Sequence, residues 1–248
     1  MKVFTVSGLT KSGKTTTIEY IIKELIKRGY SVGSVKHIHN ENFTIDTEGK
    51  NTYRHKMAGS ELVTALSHNE TDIMYPNQMD IYELLDHYTQ DFVILEGVNE
   101  ANVPRIATAK NIDELTLDDH TFAISGVVAN DLDIEYKGIQ VISAITATTE
   151  LVNRIIDIVP NLMPNFPSNC CCKCGYSCKE LMTQIVRGEA SEKDCTLMNG
   201  KKVELLINDK VIKNVDFVDK ILYNSIIGIV KELKGYKTDA KISIKIKN

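Results

Sequence analysis

The residues of this chain whose types and spacing could most directly do chemistry run from Gly8 to Thr16. In order they are Gly8, Leu9, Thr10, Lys11, Ser12, Gly13, Lys14, Thr15 and Thr16. Two glycines five positions apart, followed by lysine and threonine, fit the pattern G-x-x-x-x-G-K-[ST] at every fixed position. Glycines at this spacing let successive backbone N–H groups curl around phosphate oxygens. The Lys14 ammonium would reach the β- and γ-phosphates, and the Thr15 hydroxyl would ligate Mg²⁺. A second candidate is Asp91-Phe-Val-Ile-Leu-Glu96-Gly97, an apolar run bounded by carboxylates. An acidic residue at the end of such a strand commonly holds Mg²⁺ or its waters beside a phosphate loop. Either Asp91 or Glu96 could serve. Glu96 is favoured because it closes the strand at its carboxyl end, where open α/β sheets place ligands.

A third group follows the second apolar run: Lys36, His37, His39, Asp46, Lys50, Arg54 and His55. His37 and His39 would share one face of an extended segment and could meet a phosphate or a metal. The basic residues around them favour an anion. The fourth group is six cysteines, all between positions 170 and 195. Taking Cys171, Cys174, Cys178 and Cys195 gives C-x₂-C-x₃-C-x₁₆-C, with Cys170 and Cys172 left over. Clustered thiols in a reducing compartment point to metal rather than disulfides, with an iron–sulfur cluster and a zinc tetrathiolate as the two candidates.

The elements that must position these groups are legible as alternating patterns. Residues 2–7 read as a strand, and Ile18, Ile21, Ile22, Leu25 and Ile26 mark one face of a helix that stops near Gly29. Strands follow at 31–35 and 92–95, with others at 105–108, 123–128 and 140–142. Residues 62–65 and 72–75 suggest a hairpin, and 52–57 and 82–88 suggest short helices. A closing helix carries Leu151, Val152, Ile155, Ile156 and Val159. Strands alternating with helices imply an α/β fold, three-layered with a mainly parallel sheet. Pro160, Pro164 and Pro167 then mark a boundary. The expected domains are 1–160, a proline-containing linker 161–169, a cysteine-rich module 170–198 and a small α+β tail 199–248. The tail should hold a hairpin around residues 208–210, a helix over 217–230 and a strand over 241–247.

Several ordered motifs together resemble the MobB family of molybdopterin-guanine dinucleotide biosynthesis adaptor proteins. They are the phosphate loop, Val35-Lys36-His37-x-His39, Asp46-x-x-Gly49-Lys50-x-Thr52-x-Arg54-His55, Ala58-Gly59 and Leu95-Glu96-Gly97. The resemblance covers about residues 1–160. The chain departs from it at Glu48 and Asn51, where the family usually has proline and aspartate. It implies a P-loop GTP-binding fold, a homodimer, weak GTP hydrolysis, and an accessory role beside the nucleotidyltransferase that attaches GMP to molybdopterin in molybdenum cofactor synthesis. On this reading Gly8, Lys11, Ser12, Gly13, Lys14, Thr15, Thr16, Lys36, His37, Asp46 and Arg54 contact GTP or the pterin. Lys14 and Glu96 are the catalytic pair, and Thr15 and Glu96 hold Mg²⁺. Residues 170–198 are similar to a small 4Fe–4S domain with the pattern Cys-x-x-Cys-Gly, Cys, Gly-Glu-Ala, Cys. That implies a cluster on Cys171, Cys174, Cys178 and Cys195, with zinc as the competitor.

Composition sets outer bounds. The chain has 248 residues and a net charge of −4, which gives no general attraction to nucleic acid or membrane. Residues 201–248 hold eleven lysines against six acidic residues, so the negative charge lies in the first 200. No apolar run approaches the length of about 18 residues that a membrane span needs, and a cytoplasmic location is the expectation. Guanine preference is not encoded by an Asn-Lys-x-Asp sequence; Asn130, Asp131 and Asp133 could read a base or simply form a turn. Two other functions stay open: a GTPase metallochaperone, and a non-hydrolysing iron–sulfur scaffold or redox sensor.

Overall fold

The computed structural model describes residues 1–165, 174–200, 203, 205–207, 210–212, 216–236 and 242–244. These fall into two compact units. The first comprises Met1–Cys172 with Tyr176–Ser191, and the second Lys173–Gly175 with Glu192–Asn248.

The first unit is built on a seven-stranded sheet. Its strands are β1 (Lys2–Ser7), β2 (Val32–Lys36), β5 (Phe92–Glu96), β6 (Arg105–Thr108), β7 (Thr121–Ser125), β8 (Glu135–Tyr136) and β9 (Ile139–Val141). β3 (Val63–Leu66) and β4 (Thr71–Met74) form a separate antiparallel hairpin. The sheet order is β2-β5-β1-β6-β7-β9-β8, and only the last pairing is antiparallel. Central strands β5 and β7 are buried at every residue, as expected where helices cover both faces of a parallel sheet. Side chains alternate between those faces. Val3, Val93 and Leu95 pack with Leu85 of α3 (Ile81–Leu85) and with the loop residues Val98 and Val103. Helices α1 (Lys14–Lys27) and α4 (Thr148–Ile158) pack against each other. Arg28 ties them by donating to Asn153 Oδ1 and the Thr149 carbonyl.

Local chemistry shifts several boundaries. The strand expected over 123–128 ends at Ser125, because Gly126 turns the chain at φ +76° and residues 127–130 form a 3₁₀ turn. The strand expected at 140–142 is one arm of the β8–β9 hairpin, closed by Lys137 and Gly138 at φ +51° and +78°, the left-handed pair a two-residue turn requires. The first unit also runs beyond residue 160: Asn161 bridges to Lys2, the Leu162 N–H donates to the Met1 carbonyl at 2.9 Å, and Met163 is buried. So the segment expected as linker 161–169 begins as part of the first core, and residues 166–169 lie outside the described residues.

α2 (Asn51–Met57) follows β2 after a long loop. α5 (Cys178–Val186) starts with a capping box, Ser177 accepting from the Glu180 N–H and Glu180 from the Ser177 N–H, which satisfies two otherwise unpaired donors. It buries Leu181, Met182, Ile185 and Val186 and belongs to the first unit. Residues 170–198, expected as one module, are therefore divided between the two units.

The second unit contains α6 (Thr196–Gly200), the antiparallel pair β10 (Leu205–Ile207) and β11 (Lys210–Ile212), and α7 (Asp216–Val230). Of the strand expected over 241–247, residues 242–244 have no regular secondary structure, and residues 241 and 245–247 lie outside the described set.

Candidate functional site

Five consecutive strands of the sheet deliver their carboxyl ends to one region. β1 runs into the loop at Gly8, β2 ends at Lys36, β5 at Glu96, β6 at Thr108, and β7 at Ser125 followed by Gly126. Ligands bind at this edge of open parallel sheets. The loop's backbone is fixed from outside. The Thr108 hydroxyl donates to the Ser7 carbonyl at 3.0 Å and receives the Ser12 hydroxyl at 2.7 Å. The Val127 N–H donates to the Ser12 carbonyl at 3.0 Å. Gly8 and Gly126 permit this closeness: a Cβ on Gly8 would lie 2.0 Å from the Thr108 carbonyl oxygen, and one on Gly126 2.3 Å from the Ser12 oxygen. Lys11 holds a left-handed φ of +64°, a conformation costing on the order of 1–3 kcal/mol that gathers at ligand clamps.

Inside the loop, Lys14 donates to the carbonyls of Gly8 and Leu9, both at 2.7 Å. Burial and the neighbouring Lys36 push the Lys14 pKa down, and Glu96 opposes them. Thr15 donates its hydroxyl to Glu96 Oε1 at 3.2 Å, and Lys36 forms an ion pair with the same oxygen. Thr10, Lys11, Gly13, Lys14, Thr15 and Thr16 line a cleft of about 450 Å³, closed by Lys36, Glu96 and Val127. A smaller cavity of about 110 Å³ shares Gly13, Thr16 and Val127 with it and extends to Asn130, Ser143 and Ile145. Asp91 has different surroundings: it accepts from the Ser31 N–H and hydroxyl at 2.8 and 2.7 Å at the amino end of β5, and these bonds hold its carboxyl below the usual carboxylate range.

The third group divides. Lys36 joins the cleft. His37 donates its backbone N–H to the Glu96 carbonyl at 3.0 Å, and its ring meets that of His39 at a tilt of 59° with centroids 4.4 Å apart. Asp46 accepts from Thr52 Oγ1 at 2.7 Å and from the Thr47 N–H at 2.9 Å, so it organises its own loop ahead of α2. Arg54 and His55 are exposed on α2. Among the cysteines, Cys178 starts α5 in the first unit, and Cys174 and Cys195 belong to the second. Cys170, Cys171 and Cys172 lie outside the described residues. Among the described residues, no three His, Cys, Asp or Glu side chains gather into a metal-sized group, and no helix is long and apolar enough to cross a membrane.

Thr108, Gly126 and Val127 are site residues that the sequence did not single out. The available signal was a glycine two residues after the apolar run Phe122-Ala-Ile124.

Residues 3–130 match the family described as Molybdopterin guanine dinucleotide synthesis protein B, MobB. A protein of Methanocaldococcus jannaschii, provisionally named a molybdopterin-guanine dinucleotide biosynthesis adapter protein, is 33% identical over 254 residues, covering 99% of this chain and 97% of that one. The molybdopterin-guanine dinucleotide biosynthesis adapter protein of Haemophilus influenzae is 36% identical over 106 residues, 41% of this chain and 59% of that protein. The crystal structure of Bacillus subtilis MobB superposes with a TM-score of 0.53 at 24% identity, covering 62% of this chain and 98% of that one, a likeness of fold.

Proposed function

Because the chain belongs to the MobB family, we propose that it is an adapter protein in molybdopterin-guanine dinucleotide biosynthesis that binds Mg-GTP at residues 8–16. The observation that supports this most is the meeting of Lys14, Thr15, Lys36 and Glu96 in one cleft beside the phosphate loop. The donor set suits the ligand. Thr15 and Glu96 offer hard oxygens to Mg²⁺, and Lys14 and Lys36 offer two cations to phosphate oxygens. Exchanging the neutral Gly8 and Leu9 carbonyls for a β,γ-phosphate gives the Lys14 ammonium anionic acceptors, stronger partners than those it now has. The α1 N-terminus adds partial positive charge to the same point. The adjoining small cavity at Asn130 and Ser143 is the space next to the phosphates into which a base would extend. As an adapter the protein works beside the nucleotidyltransferase that joins GMP to molybdopterin, with hydrolysis at most weak. Arg54 and His55, outside the cleft, are assigned to the pterin's phosphate.

Lys14→Ala tests the nucleotide site. Each charge-assisted bond contributes on the order of 1.5–3 kcal/mol, so the variant should lose Mg-GTP binding in titration calorimetry and keep its far-UV circular dichroism. Unchanged affinity in a folded variant rejects the assignment.

The cysteine segment is assigned to a 4Fe–4S cluster on Cys171, Cys174, Cys178 and Cys195. Support comes from the spacing and from the softness of thiolates, which suits iron–sulfur or zinc. Protein purified without oxygen should be brown, with roughly four irons and four sulfides per chain, and Cys195→Ser should bleach it. Colourless protein carrying stoichiometric zinc would replace the cluster with a zinc site.

A further inference from the structure

A second large cleft of the first unit takes no part in the nucleotide site. It measures about 510 Å³, within the range of about 300–1,000 Å³ typical of small-molecule pockets. Thr121 and Phe122, at the amino end of β7, line its floor, whereas the phosphate loop meets β7 at its carboxyl end, roughly 15 Å away at about 3.3 Å per residue. Its walls come from the loop before β7, the β8–β9 turn, α4 and the end of α5.

Charge within it is unevenly spent. Asp118 accepts from Thr121 Oγ1 at 2.8 Å and the His120 N–H at 3.2 Å, and pairs with Arg105 at 3.2 Å. Asp119 pairs with Arg187 at 2.9 Å. Arg154 has no such partner. Its Nε donates to the Phe122 carbonyl at 3.4 Å, and no carboxylate of the described residues lies within ion-pair distance of it. Lys137 is carried on the left-handed turn with Gly138, its ammonium 5.3 Å from the Tyr136 ring centroid, and it too lacks a carboxylate among the described residues. Asp157 attracts the guanidinium only from beyond ion-pair distance, so its burial is costly, and an oxyanion held by its two terminal nitrogens would offset that cost. Glu189 remains on the wall as an acceptor for a hydroxyl or amino group.

We propose that this cleft is a second binding site, for a small molecule carrying a phosphate or carboxylate, held by Arg154 and Lys137. The site is independent of the nucleotide reading.

The test is amide chemical-shift titration of the full chain with inorganic phosphate in one arm and citrate in the other. At least one anion should give saturable shifts at Thr121, Gly138 and Arg187. The shifts should persist in Lys14→Ala, which removes the phosphate loop as their source, and the affinity should fall at least tenfold in Arg154→Gln. The arm that responds identifies the kind of oxyanion. If Arg154→Gln fails to fold, Lys137→Gln on the exposed turn decides, with at least threefold weakening expected. Shifts confined to residues 8–16, shifts lost with Lys14→Ala, or no response to either anion would overturn the proposal.

Discussion

Asp91 and Glu96 stand at opposite ends of one five-residue strand, and direction alone separates their roles. Both are carboxylates beside an apolar run, so residue type does not choose between them. Parallel strands present their carboxyl ends to the ligand edge, and there Glu96 meets Thr15 and Lys36, while Asp91 fastens Ser31 at the other edge. The placement of the two carboxylates was readable because the relevant information is local: a loop, a strand and a polarity. The same applies to Gly8, Lys14 and Thr15. Asp46 and Arg54 show where local reading stops. They follow the same ligand-side strand end as Lys36 and His37, yet Asp46 satisfies Thr47 and Thr52, and Arg54 is exposed on α2. Proximity in the chain to a ligand-side strand end does not fix where a side chain on the next long loop goes. Thr108 and Gly126 were missed for the opposite reason: their work consists of close approach to Ser12 from the ends of strands β6 and β7, which no local pattern records.

α5 makes the corresponding point for an element. Leu181, Met182, Ile185 and Val186 recur at helical spacing and form its buried face, but its attachment is not written locally, because its partners are far off in sequence. Asn102 Nδ2 donates to the Cys178 carbonyl at 3.0 Å across 76 residues. His120 Nε2 donates to the Lys179 carbonyl at 3.2 Å across 59 residues, and Arg187 pairs with Asp119. These contacts join the helix to the nucleotide-binding unit. One of them titrates. Burial lowers the His120 pKa, Arg105 and Lys179 add to this, and the Lys179 carbonyl and Asp118 oppose it. The folded state thus prefers neutral imidazole more than the unfolded chain does, whose value is about 6.5. The contribution of His120 is complete above that value and is lost as pH falls through it toward the lower folded value. Hydrogen-exchange protection of α5, corrected for intrinsic exchange, should therefore decline between pH 7.5 and 5.5, and His120→Gln, which keeps an N–H donor without titrating, should flatten the decline. Equal protection at both pH values in the parent protein would show that His120 does not govern the docking of this helix.

For the whole molecule, the β3–β4 hairpin is the element that the monomer leaves unexplained. A two-stranded hairpin is marginal in water by itself, and this one pairs with no strand of the main sheet. Its register sets Thr64 opposite Ile73 and Leu66 opposite Thr71. Leu66 and Ile73 therefore share a face with the flanking Leu62 and Tyr75 by period-two alternation. All four are exposed, Leu66 at 82% and Ile73 at 60%. A contiguous apolar face beside open strand edges marks an association surface. A second copy of the chain is the expected occupant, because two identical hairpins can cover the same face reciprocally about a two-fold axis. Exchanging Leu66 and Ile73 for aspartate should remove no core packing, since both side chains already face water in the monomer. It should turn a dimer into a monomer by light scattering, with Mg-GTP affinity kept, because the hairpin contributes no residue to the phosphate cleft. A parent protein that is monomeric at high concentration, or a double variant that remains dimeric, would assign this face to something other than self-association.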